Sequence, residues 1–192
     1  VEPMQGVVPA VRKIKDFEKL LKSDHKIIIL LETRIALLAN LVKYAKQFDK
    51  QIIVHLDLIN GLKVDQYGME LLVHHMKVDG VISTRGNIIS MAKKNGLVAI
   101  QRMFAIDSSA IRKNIELVDK TKPDYIEVLP GIIHPIIQEI AEQTETPVIA
   151  GGLIRSTEDI ELALNHGAVA ITTSRKELWN YNSAIRKFKI NN

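Results

Sequence analysis

The sequence predicts an α/β fold whose parallel sheet closes on itself as a compact, single-domain (β/α)8 barrel, and three observations predict it. A short apolar, β-branched run, a turn and a helically spaced stretch recur in that order from end to end. The runs are apolar almost throughout rather than alternating, as strands buried on both faces are. Eight of them can be counted, at about twenty to thirty residues per unit. A doubly wound open sheet is the competing architecture, but the glycine-rich turn that usually follows its first strand is missing here.

The first run is VVPAV, from Val7. The second, IIILL from Ile27, is followed by Ile35, Leu38, Leu41, Val42 and Ala45 on one helical face. The third is IIVHL from Ile52, and the fourth is VIST from Val81, whose helix ends at Asn95-Gly96. LVAIQRM from Leu97 is the fifth; Asp107 and Ser108 are good N-caps for a helix with Ile111, Ile115 and Val118 on one face. YIEVL from Tyr125 is the sixth, with Ile136, Ile137, Ile140 and Ala141 behind it. VIAG from Val148 is the seventh; Ser156 and Asp159 resemble a weakened capping box, and His166-Gly167 closes that helix. VAITTS from Val169 is the eighth. At 192 residues the chain lies just under the ~200-residue lower bound of a TIM barrel, so its loops must be short. Without a linker or a mid-chain shift in composition, residues 1–192 read as one domain, with 183–192 as a frayed basic tail.

Composition narrows the function classes. Hydrophobic content of 46% and charged content of 25% are ordinary for a globular protein. No apolar run exceeds the length of IIILL, far short of a bilayer span, and no basic segment leads into a long apolar stretch. A cytoplasmic protein with no membrane partner is expected, although the chain begins at Val1 rather than Met, which leaves its start open to trimming. With no cysteine, disulfides and thiolate metal sites are excluded, and none of the six histidines has the H-E-x-x-H spacing. No metal or cofactor is expected. The formal charge of +4 tolerates a polyanionic partner without requiring one.

In such a barrel, function sits at the C-terminal strand ends. Glu32 ends the second strand there; Asp57 ends the third, with His55 on the same face. Ser83, Thr84 and Arg85 end the fourth, and Gln101 and Arg102 the fifth. Glu127 lies in the sixth, before Leu129-Pro130-Gly131, which brings Gly131 to the mouth. Gly151-Gly152 follow the seventh, and Thr173-Ser174 end the eighth and open the next helix. A phosphate dianion needs several close donors; glycines expose backbone N–H groups, and a helix N-terminus adds more. Gly151, Gly152, Thr173 and Ser174 are therefore the phosphate candidates, against the plainer reading of a tight turn and an N-cap. Glu32, Asp57 and Glu127 could hold substrate hydroxyls, or simply pair with Arg85 and Arg102. His55 reads as a satisfied core histidine, and His74-His75 as surface residues of a helix. Basic clusters such as Arg12-Lys13, Arg175-Lys176 and Arg186-Lys187 read first as solvated faces.

The ordered set VVPAVR, HLDLINGL (from His55), DGVIST (from Asp79), IQRMFAIDS (from Ile100), PDYIEVLPG (from Pro123), TPVIAGGLI (from Thr146) and GAVAITTS (from Gly167), then Leu178-Trp179, resembles the glycerol-3-phosphate-responsive antiterminator family of bacteria. The resemblance covers nearly all of residues 6–180 and implies a regulator rather than an enzyme. It implies glycerol 3-phosphate as effector and the leader mRNA of a glycerol-utilisation operon as partner, with binding that prevents termination. The YIE segment also resembles a strand of prenyltransferase barrels that hold glycerol 1-phosphate, which implies that Tyr125 and Glu127 grip the glycerol end. No long apolar segment for a prenyl chain accompanies it. On this reading Asp57, Gly131, Arg102 and Glu32 complete the glycerol side of the mouth, no residue is catalytic, and Arg85, Lys63, Arg175 and Lys176 face the RNA. A homodimer joining two basic faces is an attractive assembly. The alternative is a barrel aldolase, isomerase or transferase acting on a phosphorylated metabolite, although no Schiff-base lysine lies within a strand.

Overall fold

The computed structural model describes residues 2–191 and closes the eight units into one barrel. Its strands are β1 (Gly6–Val11), β2 (Ile27–Leu30), β3 (Gln51–His55), β4 (Gly80–Ser83), β5 (Val98–Phe104), β6 (Tyr125–Leu129), β7 (Val148–Gly151) and β8 (Ala168–Thr173). All pair in parallel in sequence order, and β1 closes the ring against both β2 and β8. The helices are α1 (Ile14–Leu21), α2 (Ile35–Lys46), α3 (Gln66–Glu70), α4 (Gly86–Lys94), α5 (Ser108–Thr121), α6 (His134–Gln143), α7 (Thr157–Asn165) and α8 (Tyr181–Ile190).

Strand alternation divides the apolar residues into two shells. Val8, Ala10, Ile29, Ile53, Ile82, Ile100, Ile149 and Ala170 fill the barrel interior, and Met4 joins them from below. The other strand faces meet the buried helix stripes, such as Leu38, Val42 and Ala45 of α2 or Ile137 and Ile140 of α6. Branched side chains of similar size pack such an interior in layers and leave no pore. Polar chemistry is thereby pushed to the two ends.

Local signals set the ends of the helices. Asp107 accepts the Ala110 N–H at 2.8 Å. Ser156 and Asp159 form a full capping box, since the Ser156 hydroxyl accepts the Asp159 N–H and the Asp159 carboxylate accepts the Ser156 N–H, both at 3.2 Å. Asn95 and His166 close α4 and α7 as the sequence suggests.

Two local expectations are corrected, and one feature was not foreseen. After β3, Leu56–Leu58 form one 3-10 turn, and Ile59–Asn60 then pair with Thr33–Arg34 in a small ladder outside the barrel. Thr173-Ser174 do not open a long helix; a 3-10 turn over Lys176–Leu178 precedes α8. Residues 183–190 are helical rather than frayed, although α8 buries none of its side chains; Asn192 lies outside the described residues.

Candidate functional site

A cavity of about 380 Å³ opens at the C-terminal end of the barrel. Its wall is formed by Ala10 of β1 and Arg12 just after it, Ile29 and Leu31 at β2, Arg102 on β5 and Glu127 with Leu129 on β6. Gly152 to Arg155 after β7 and Thr172 to Arg175 at β8 complete it. The two segments expected to hold phosphate therefore face one space, because β7 and β8 are neighbours in register, with Thr172 opposite Gly151. Backbone φ is +82° at Gly152 and +59° at Leu153, so the chain turns in the left-handed region at this rim. Glycine takes that conformation freely, whereas for leucine it is uncommon and marks a constrained turn.

The electrostatics of the cavity are one-sided. Four arginines line it, Arg12, Arg102, Arg155 and Arg175, against the single acidic residue Glu127. Glu127 is only 1% exposed. Its Oε1 accepts from Arg102 Nε at 2.6 Å, and its Oε2 accepts from the Thr172 hydroxyl at 2.8 Å. A buried carboxylate held by a cation and a hydroxyl is compensated. Its effect is to fix the Arg102 fork, whose terminal nitrogens have no hydrogen-bond partner among the described residues. Gly151 makes this contact possible, since a Cβ there would fall 2.5 Å from Thr172 Oγ1 and 3.2 Å from Glu127 Oε2. On β8, the Thr173 hydroxyl accepts the Arg175 N–H at 3.1 Å, and its carbonyl accepts Trp179 Nε1–H at 2.9 Å. Trp179 is thus a buried anchor for the rim.

Gly152, Thr173, Ser174, Glu127 and Arg102 line the cavity, and Gly151 stands directly behind it. The remaining glycerol-side expectations are corrected. Tyr125 begins β6, so it lies at the opposite end of the barrel, where its hydroxyl accepts the Met4 N–H at 3.0 Å. Asp57 lies outside the wall and is engaged by Arg85, with Nη2 at 2.9 Å, by the Ser83 hydroxyl at 3.2 Å and by the Thr84 N–H at 3.3 Å. Glu32 sits beside a separate groove, 3.8 Å from Arg12 and well exposed. Gly131 is a packing residue: its N–H donates to Gly151 O at 2.6 Å, and a Cβ there would strike the β7 backbone.

Of the outward basic residues, Arg175 reaches the cavity, Arg85 pairs with Asp57, Lys176 with Asp16 at 3.2 Å, and Lys63 with Asp65 at 3.7 Å. Two cavity residues escaped sequence reasoning. Arg12 had a signal, because it continues the inward series Val8, Ala10, Arg12 at period two; its neighbours Lys13 and Lys15 disguised it as a solvated cluster. Arg155 follows an irregular turn, where no periodicity applies. His55 is also corrected: it is buried, yet neither ring nitrogen has a hydrogen-bond partner among the described residues. No cluster of three or more potential metal ligands occurs among those residues, no helix there is long and apolar enough to cross a membrane, and no lysine lines the cavity.

Fold and site define a small (β/α)8 barrel with an arginine-lined polar mouth over an apolar interior. The sequence profile described as "Glycerol-3-phosphate responsive antiterminator" matches residues 7–179. A glycerol uptake operon antiterminator regulatory protein from Listeria monocytogenes str. 4b F2365, solved by crystallography, shares 46% identity at a TM-score of 0.88, covering 92% of this chain and 95% of that one. A glycerol uptake operon antiterminator-related protein from Thermotoga maritima MSB8 shares 30% identity at a TM-score of 0.83, covering 93% and 99%. An uncharacterized protein, YgcP, of Escherichia coli (strain K12) is 31% identical over 173 residues, 90% of this chain and 91% of that protein. The chain belongs to the glycerol-3-phosphate responsive antiterminator family, a family of regulators rather than enzymes.

Proposed function

We propose that this protein is a cytoplasmic sensor that binds glycerol 3-phosphate in the barrel mouth and, when loaded, binds the leader mRNA of a glycerol-utilisation operon to prevent termination. The observation that carries the reading is the convergence of the Gly151–Gly152 and Thr173–Ser174 segments on one cavity lined by four arginines. Backbone N–H groups at the Gly152 turn and the Thr173 and Ser174 hydroxyls are short-range donors for a phosphate dianion. The guanidiniums supply charge and, at Arg102, a fork already aimed by Glu127.

The RNA contact falls on the same end of the barrel, at Arg175 and Lys63 and at Arg85 and Lys176 beyond them. Those four residues are exposed; Lys63 is held only by a surface ion pair with Asp65, which costs little to exchange for a phosphate, whereas Lys176 and Arg85 also neutralise the buried Asp16 and the partly buried Asp57. The effector must bind the RNA-competent state better than the other state, since equal affinity would shift nothing.

The test has two arms: calorimetry with glycerol 3-phosphate, and a leader-RNA gel shift with and without it at stated salt. Saturable binding of the ester together with ligand-enhanced, sequence-selective retardation of the RNA is expected. Absence of ester binding, or RNA binding that ignores both ligand and sequence, refutes the reading.

A further inference from the structure

We propose that unpaired bases of the RNA dock on an apolar arc of the rim beside the cavity, with the Phe104 ring as their stacking platform. The inference rests on the reading of the protein as a leader-mRNA binder. It adds that the RNA is held single-stranded, and it assigns the surface that takes its bases.

The arc is built by the ends of β5, β6 and β7, which are neighbours in the barrel. Phe104 is the last residue of β5 and continues the series Ile100, Arg102 at period two, so it stands at the mouth beyond Arg102. In the ladder it lies beside Leu129, which lines the cavity and whose carbonyl accepts the Ala105 N–H at 2.9 Å. The Leu129 side chain lies against the Gly152 turn, and the next residue, Leu153, also lines the cavity. Phe104 is 46% exposed, Leu153 51% and Ile106 82%, and Ile132 in the turn after β6 is exposed as well. Apolar residues scattered singly over a surface need no explanation, whereas a patch continuous over three loops marks an interaction site. Leu153 strengthens the case, because a leucine is held at φ +59° with half its surface in water.

Charge selects the occupant. Exposed cations flank the arc: Arg155 and Arg175 follow β7 and β8 on one side, and Lys63 follows β3 on the other. Single-stranded RNA is the complement of that pattern, with phosphates for the cations and base faces for an apolar, aromatic surface. A duplex is not, because its bases are already stacked on one another. A second copy of the chain would bring two arginine-lined mouths face to face, and like charges so placed oppose association. Binding to a bilayer surface uses the continuous apolar face of an amphipathic helix, whereas this arc consists of strand ends and short turns around a polar cavity.

The experiment measures leader-RNA affinity at saturating glycerol 3-phosphate for the wild type and for Phe104→Ala, Phe104→Leu and Phe104→Trp, with thermal unfolding to establish that each variant is folded. Phe104→Ala is expected to lower the affinity about tenfold, and Phe104→Trp to hold it within about twofold. Phe104→Leu keeps apolar area without a ring and should fall with the alanine variant. The slope of log affinity against log salt should be the same in every variant, because no phosphate contact is lost. A leader transcript carrying 2-aminopurine at its unpaired positions reads the stacking directly: its fluorescence should be quenched by the wild type and by Phe104→Trp, and not by Phe104→Ala. With the leader annealed to a complementary strand, wild type and variants should bind alike. Equal leader affinity in the wild type and the alanine variant, fluorescence that ignores the ring, or the same Phe104 dependence with the duplex would overturn the inference. So would a wild-type dimer in sedimentation, or capture by anionic phospholipid vesicles, that Phe104→Ala abolishes while leader affinity is unchanged. Each of these leaves the leader-binding reading standing. A wild type that binds no leader RNA overturns the inference together with that reading.

Discussion

Gly152 is where backbone conformation and ligand chemistry meet in one residue. Its φ of +82° belongs to the left-handed region, and a Cβ there would press on the Leu129 side chain at 3.2 Å. Gly152→Val therefore forces the turn to re-form and redirects the N–H groups that face the cavity. The conformational penalty is about 1–2 kcal/mol, which a closed barrel should absorb. Calorimetry on this variant is expected to show loss of glycerol 3-phosphate binding while thermal unfolding remains cooperative; undiminished affinity would remove the Gly152 turn from the site. At this scale the sequence was legible where a residue type has few uses. Gly-Gly at a strand end and Thr-Ser at the next could be read because their position on a strand implies their place in space. Tyr125 and Asp57 misled for a different reason. A strand's first residue and its last lie at opposite ends of the barrel, and Tyr125 is the first. Asp57 is at the correct end, but its partners come from β4 and the turn after it, and the plainer of its two readings, a pair with Arg85, is the one the structure bears out.

Among the elements, α7 couples stability to the site. Asp159 accepts both the Ser156 N–H and the Arg155 N–H, the latter at 2.9 Å, so one carboxylate caps the helix and fixes the backbone that presents Arg155 to the cavity. Asp107 does only the first of these tasks for α5. Asp159→Ala and Asp107→Ala should each cost ~1 kcal/mol in denaturant unfolding. Only Asp159→Ala should also weaken glycerol 3-phosphate binding severalfold. Equal ligand affinities in the two variants would separate the α7 cap from the cavity. The elements themselves were the most legible level: continuous apolar runs mark all eight strands, while helical stripes and capping residues mark only some of the helices between them. The paired segments Thr33–Arg34 and Ile59–Asn60 were not legible, because two-residue strands carry no periodicity. The widening of the helix into π-type turns over Leu71–Met76, after α3, likewise has no signal in residue spacing.

On the scale of the whole molecule, positive charge is divided between two ends. The mouth carries Arg12, Arg102, Arg155 and Arg175. The other end carries Arg186 near Met4 and His25, with Lys187 and Lys189 further along α8. Electrostatics alone would make the effector an inhibitor of RNA binding, since a phosphate dianion in the mouth neutralises part of the field that attracts RNA. Activation must then come from ordering the rim around the ester, in particular the Arg175 segment anchored through Thr173 and Trp179. Salt dependence separates these contributions, because each single-strand phosphate contact adds about 0.7 to the slope of log affinity against log salt. Saturating glycerol 3-phosphate should raise leader-RNA affinity while leaving that slope unchanged or shallower. Lys63→Ala with Arg175→Ala should flatten the slope by up to about 1.4, and Arg186→Ala with Lys187→Ala and Lys189→Ala should leave it as in the wild type. The reverse result, with the α8 variant flattened and the rim variant unaffected, would move the RNA to the far end of the barrel. The effector would then have to act through the β-strands rather than at the surface it touches.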